Sequence, residues 1–138
     1  MRVFLDTNVL LDAIVVRSDP HLCENAATIL ALGEQRTVEL YMSVISIPTI
    51  AYVLKNMTAE AKKSVIRDLT SIVAPLPSLA GHVSNMLGDS MPDIEDSLQV
   101  QSAREGGCEL LITRNCKDFQ SCGLPVITPE EFLKRIIG

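Results

Sequence analysis

Acidic side chains stand at the ends of this chain's apolar runs, and their types suit a hard cation. Asp6 follows Arg2-Val-Phe-Leu5, Asp93, Glu95 and Asp96 open a helical stretch, and Asn115 and Asp118 follow Leu110-Leu-Ile112. Carboxylate and amide oxygens, completed by waters, are the ligands that Mg²⁺ or Mn²⁺ takes. Such a cation suits the hydrolysis of phosphodiesters, because it polarises phosphate oxygens and acidifies water. Each acid also has a plain structural use. Asp93 and Asp96 favour the positive end of a helix, worth about 0.3 to 1 kcal/mol each. Asp6 before Thr7-Asn8 suits a helix cap, and Asp118 before Phe119 suits a turn. None of these uses explains why acids so distant in sequence would gather in one place.

The elements that position these residues read as alternating strands and helices. Arg2 to Asp6 is a short buried strand, followed by a helix from Asn8 to Arg17. Asp19-Pro20 is a helix start, cap then proline, opening a helix through Gln35. Glu39 to Ser43 reads as the second strand. Ser46 caps a helix with Ile47, Ile50, Ala51 and Leu54 on one face. Thr58 opens a helix to Ser71, Ile72 to Ala74 is a third strand, and Ser78 begins a short helix ending near Gly88. Pro92 to Glu105 is a helix closed by Gly106-Gly107. Leu110 to Ile112 is a central strand and Pro125 to Ile127 a last one. Thr128-Pro129-Glu130-Glu131 forms a capping box for the terminal helix. This alternation predicts an α/β fold with a mainly parallel sheet covered on both faces.

In such a sheet, ligands sit outside the carboxyl ends of the strands. Asp6 ends the first strand, Ser43 and Ser46 follow the second, and Asn115 and Asp118 follow the Leu110–Ile112 strand. The helix from Pro92 leads into that strand and runs against it, so its N-terminus lies at the same edge. Within it, Asp93, Asp96, Val100 and Ala103 follow a +3, +4, +3 spacing that puts two carboxylates on an inward stripe. Glu95, on another stripe, is expected to face solvent. An inward carboxylate needs a partner, since an unpaired buried charge costs several kcal/mol.

Composition sets further bounds. A chain of 138 residues with 47% apolar content is expected to form one domain, residues 1–138, with a substantial core. No apolar run approaches the ~18 residues of a membrane span, and Met1-Arg2 is not followed by a signal-peptide pattern. The expected location is the cytoplasm. Cys23, Cys108, Cys116 and Cys122 lack metal-ligand spacing and are expected to be reduced thiols. The net charge of −5 runs against a basic nucleic-acid face. A cation-filled carboxylate site reverses that charge locally, however. Lysine and arginine also cluster, at Lys55, Lys62, Lys63 and Arg67, then at Arg114 and Lys117.

The residues singled out above carry a family resemblance. Val3-Phe-Leu-Asp6-Thr-Asn-Val-Leu-Leu-Asp12 resembles the opening motif of PIN domains, the fold of many bacterial toxin ribonucleases. Asp96-Ser-Leu-Gln-Val-Gln-Ser-Ala103 and Leu111-Ile-Thr-Arg-Asn115-Cys-Lys-Asp118-Phe119 resemble the family's third and fourth motifs, and Thr128-Pro-Glu-Glu-Phe132 resembles its usual ending. The resemblance implies a three-layer α/β/α sandwich and an endoribonuclease dependent on Mg²⁺ or Mn²⁺. It also implies RNA as substrate, frequent homodimers, and an antitoxin protein as partner. Asp6 and Asp96 match the metal-binding aspartates, with Asp93 or Asp118 completing the shell and Asn115 offering its amide oxygen. Asp6, Asp96 and Asp118 are the expected catalytic acids. Thr7, Ser43 and Ser46 are expected to hydrogen-bond water or the scissile phosphate, and Arg114 and Lys117 to contact flanking phosphates. Two positions depart from the family. Thr49 holds the place of the usual glutamate after the second strand, and Asn115 that of an aspartate. A PIN-like module that binds RNA or protein without cutting is therefore the alternative function. An aspartyl-nucleophile phosphatase would need an acid where Asn8 stands, and a phospho-receiver domain would need paired acids after the first strand.

Overall fold

Apolar residues that run unbroken through a strand must be covered from both sides, and the period of two decides which side each one serves. The computed structural model describes residues 1–138. Its strands are β1 (Arg2–Leu5), β2 (Glu39–Ser43), β3 (Val73–Leu76), β4 (Leu110–Ile112) and β5 (Val126–Ile127). All pair in parallel, in the order β3-β2-β1-β4-β5. The helices are α1 (Thr7–Ile14), α2 (Pro20–Glu34), α3 (Ser46–Val53), α4 (Ala59–Thr70), α5 (Ala80–Gly88), α6 (Ile94–Glu105) and α7 (Pro129–Ile137), with a 3₁₀ turn at Cys116–Phe119.

Val3, Leu5, Leu40, Met42, Leu110, Ile112 and Ile127 point to one face of the sheet, into a core shared with α1, α2, α3, α4 and α7. Phe4 and Leu111, with Tyr41 and Val126 beside them, point to the other face, against Val100 and Ala103 of α6 and Phe119 of the 3₁₀ turn. Helix α5 packs outside α6. The result is helix, sheet, helix. No helix is long and apolar enough to cross a membrane.

Most expected elements form, and the differences have local causes. α1 ends at Ile14 because Val15 is extended, at φ −110° and ψ 154°. Arg17, expected inside this helix, instead folds back to Asp12. β3 runs later than expected, through Pro75, which an edge strand tolerates because one side needs no donor. Ser46 is the first residue of α3 and not its cap; the N-cap is Ile45. Pro92 lies outside α6, whose N-cap is Asp93. Thr128 caps α7 by accepting from Glu131 N–H. Glu131 closes the motif on the Thr128 hydroxyl, 3.2 Å away, and not on its backbone N–H.

Helix α6 hands over to β4 through Gly107, whose φ of +70° lies in the left-handed region. An added Cβ there would meet nothing nearer than Arg2 Nε at 3.8 Å, so its cost is conformational alone. Gly107→Ala should destabilise the fold by about 1 to 2 kcal/mol in urea unfolding. An unchanged midpoint would mean that this turn relaxes freely.

Candidate active site

The strand order reverses direction between β1 and β4, and the crevice at such a switch point is where an open parallel sheet binds ligands. The register pairs Leu5 with Ile112, so the next residues along, Asp6 and Thr113, stand side by side at the carboxyl edge. Thr113 Oγ1 donates to Asp6 Oδ2 at 2.7 Å, and Gln99 Nε2 of α6 donates to Asp6 Oδ1 at 3.0 Å. Asp6 is only 3% exposed. It occupies the N-cap of α1 without a side-chain cap bond, so capping does not account for its carboxylate. Burial raises its pKa, while the Thr113 and Gln99 bonds act to hold it down.

Thr7 anchors a second layer of contacts. Its N–H donates to Gln99 Oε1 at 3.1 Å, which fixes the Gln99 amide with its NH₂ toward Asp6. Thr7 Oγ1 lies 2.7 Å from Ser46 Oγ and 2.9 Å from Glu95 Oε1. Thr49 Oγ1 stands 3.5 Å from both Glu95 oxygens. Glu95, expected to face solvent, is therefore half-buried and turned inward. A stripe counted from Asp93 misplaces it, because Asp93 is the extended N-cap, with φ −102° and ψ 124°, and lies outside the helical wheel. Gln99 and Thr113 were also missed. A signal existed for both: Glu95, Gln99 and Ser102 form a polar stripe at i, i+4, i+7, and Thr113 is one register step beyond Leu111-Ile112.

Asp96, half-buried in the first turn of α6, is pushed up to about 7 by burial first, then by the charges of Asp6, Asp93, Asp118 and Glu95. Four other acids thus act on Asp96 at this rim, and Glu95 acts on Asp6 as well. None is ion-paired with lysine or arginine; the charge pairs in this chain engage Asp12, Glu24 and Glu130. Asp93 Oδ1 is occupied with Asp96 N–H at 2.9 Å, and Asp93 itself is exposed.

Other expected site residues lie elsewhere. Ser43 is wholly buried, 3.2 Å from Ser102 Oγ beneath α6, where no phosphate reaches it. Ser46 is equally buried and meets Thr7 instead of solvent. Asn115 is exposed and lines a cavity of about 320 Å³ with Asp12, Asn25, Arg114 and Thr128. Arg114 is not a free cation. Its Nε sits 2.7 Å from Asp12 Oδ2, an ionic contact without hydrogen-bond alignment, and Arg17 Nε bonds Asp12 Oδ1 at 2.8 Å. Lys117 is exposed. A cavity of about 700 Å³ lies between α5 and α6 and is lined by none of the rim acids.

The donor set fits a divalent cation of the hard kind. It consists of oxygens, carries unbalanced negative charge, and includes a buried carboxylate with a spare lone pair on each oxygen. No three acids are drawn together as a ready-made cage. Mg²⁺ does not require one, since it keeps several waters and commonly uses one or two carboxylates plus substrate phosphates.

Two outcomes test this electrostatic picture. Asp96 holds its proton to about pH 7 in the folded state, against 3.8 for the ordinary group. The folded state therefore binds more protons than the unfolded one across that window, and stability falls as pH rises. The melting temperature of metal-free protein should increase from pH 8 to pH 6, and Asp96→Asn should flatten that slope. An equal slope in the variant would remove Asp96 as its source. Asp12, 2% exposed, shares two arginines whose side chains are 30% exposed. Arg17→Ala or Arg114→Ala alone should each cost about 1 kcal/mol, because one partner remains. Losing both strands the carboxylate and should cost about 3 to 5 kcal/mol. Additive losses in a double-mutant cycle would contradict this.

A family model described as PIN domain matches residues 2–117. Ribonuclease VapC1 of Aquifex aeolicus is 32% identical over 139 residues, covering 97% of this chain and 94% of that protein. Among solved structures, VapBC2 from Rickettsia felis, bound to a DNA fragment from its promoter, aligns with a TM-score of 0.66 at 19% identity, covering 93% of this chain and 98% of that one. VapBC-1 from nontypeable Haemophilus influenzae aligns with a TM-score of 0.64 at 23% identity, over 94% and 99% of the two chains. With its sheet, its motif order and this matched span, the chain belongs to the PIN domain family.

Proposed function

We propose that this protein is a toxin-type endoribonuclease that hydrolyses RNA phosphodiesters with a divalent cation, Mg²⁺ or Mn²⁺. The observation that carries this reading is the rim of acids at the switch point, none of them balanced by lysine or arginine. The similarity to a protein named as a ribonuclease supports the same activity. By the same kinship, an antitoxin protein is its partner, homodimers are its expected assembly, and the cytoplasm, which keeps its free cysteines reduced, is its location.

The cation would be held by Asp6 and Asp96, with Asp118 or Asp93 completing the shell directly or through water. When bound, it supplies Lewis-acid polarisation of the scissile phosphate and acidifies water. Gln99 and Thr113 keep the Asp6 carboxylate aimed while leaving a lone pair on each oxygen free. Asp118, half-exposed on the rim, receives the proton of the attacking water on a carboxylate oxygen. In-line attack then forms the new phosphorus–oxygen bond as the bond to the 3′ oxygen breaks, and that oxygen takes a proton from solvent water and leaves as a hydroxyl. Ser46 acts from below, through Thr7, and not on the phosphate itself. Arg114 and Arg17 share one carboxylate, so together they keep a net charge of about +1 for a flanking phosphate, with Lys117 nearby in sequence on the open side. Aromatic content of 4% leaves few stacking platforms, and broad choice of unpaired RNA follows.

Single-stranded RNA incubated with the purified chain should be cut in Mg²⁺ or Mn²⁺ and left intact with chelator. Asp6→Asn, matched for folding by circular dichroism, should cut more than about a hundredfold slower, beyond the loss typical of an outer-shell partner. RNA binding without cutting in any metal would favour the non-catalytic alternative. Equal cutting by the variant would exclude Asp6 from the site.

A further inference from the structure

We propose that Glu95 supplies a third carboxylate toward the cation and that Thr7, Ser46 and Thr49 form the cradle holding it there. This rests on the metal-dependent reading above and names the acid that fills the gap left by Thr49 and Asn115. The geometry of the hydroxyls gives the direction. Gln99 Oε1 can only accept, and the Thr7 N–H already serves it at 3.1 Å. The single proton of the Thr7 hydroxyl is therefore free for Glu95 Oε1, the nearer and charged acceptor at 2.9 Å, over Gln99 Oε1 at 3.2 Å. With that proton committed, Ser46 becomes the donor in its 2.7 Å contact with Thr7. The chain of donors runs from Ser46 to Thr7 to Glu95, from a wholly buried residue outward.

Those donors come from the first turns of α1 and α3, while Glu95 belongs to the first turn of α6. Three helix starts thus meet on one carboxylate. Oε1 is fixed by Thr7, whereas Oε2 has only the long Thr49 contact at 3.5 Å, and no lysine or arginine pairs with either. Glu95 is also close enough for its charge to act on both Asp6 and Asp96. One oxygen is thus fixed by Thr7, and the other is left without a close partner. At the position after β2, Thr49 contributes a hydroxyl that steadies an acid arriving from across the crevice. Asn115, exposed and turned to the Arg114 cavity, is not required for that shell.

A purely structural role for Glu95, tying α6 to α1 and α3, would survive in Glu95→Gln, which keeps an oxygen to accept from Thr7. A ligand role would not survive, because the charge is gone. The test is calorimetric titration of Mn²⁺ alone into the full-length parent, Glu95→Gln, Glu95→Ala and Asn115→Ala. Circular dichroism and the Mn²⁺-induced rise in melting temperature are measured alongside. The expected result is a loss of about tenfold or more in Mn²⁺ affinity for both Glu95 variants, with Asn115→Ala at the parent value. The metal-free Glu95→Gln protein should melt no lower than the parent, since removing one of several crowded carboxylates relieves repulsion. Parent-like Mn²⁺ affinity in Glu95→Gln would overturn the proposal while leaving the metal site standing. Absence of Mn²⁺ binding by the parent would overturn both.

Discussion

A carboxylate that is 3% exposed must find elsewhere the solvation that water gave it, and Asp6 finds it without any cation. Two neutral donors do this work, one from β4 and one from α6. The requirement reaches far into the fold. Thr113 serves only if β1 and β4 are in parallel register with Leu5 beside Ile112. Gln99 serves only if α6 lies close enough to span Asp6 and the Thr7 N–H at once. That closeness depends on small buried residues along α6: Ser97, Ser102 and Ala103 face inward, and Ser102 Oγ donates to Pro77 O as well as meeting Ser43. A helix with such a face cannot be pressed onto the sheet by apolar area alone. It is located by its hydrogen bonds, which is why its polar residues are buried.

The same closeness concentrates negative charge. Asp93, Glu95 and Asp96 gain from the positive end of α6, but that effect is worth only about 0.3 to 1 kcal/mol for each acid. It does not offset the mutual repulsion that, after burial, keeps Asp96 up at about 7. The metal-free site is held in tension by the rest of the fold. Local instability at functional positions is a common trade, and here its source is identifiable charge by charge.

Strands are readable because their residues are apolar on both faces, a pattern that Leu40–Met42 and Leu110–Ile112 display without interruption. Helix starts were readable where a side chain closes on the backbone, as Asp19, Thr58 and Thr128 do. Ser46 shows the limit of that logic. Its type suits a cap, but its hydroxyl has a stronger claim 39 residues away in Thr7. Glu95 shows the same limit from the other side. A helical wheel describes one helix, and the partners of Glu95 lie 88 and 46 residues distant, at Thr7 and Thr49. Arg114 is expected from the sequence to contact flanking phosphates, and nothing local marks Asp12 as its counter-ion across 102 residues. What escaped the sequence were long-range polar contacts, which carry no periodicity.

The Asp12 cluster also bears on how a polyanion would approach. In a chain of net charge −5, the arginines nearest the rim in the fourth motif and after α1 are drawn onto one buried carboxylate. Two guanidiniums around one carboxylate leave about one positive charge, held in place instead of sweeping through solvent. Their partial exposure lets that charge face outward, but it is too little to offset five acids at the rim. Phosphates brought to the switch point would meet net repulsion until a divalent cation changed its sign. Cation and RNA should therefore bind cooperatively at this edge, each lowering the electrostatic cost of the other. The thinned set of acids in the fourth motif is consistent with such a site, because phosphate oxygens can complete a shell that the protein leaves open.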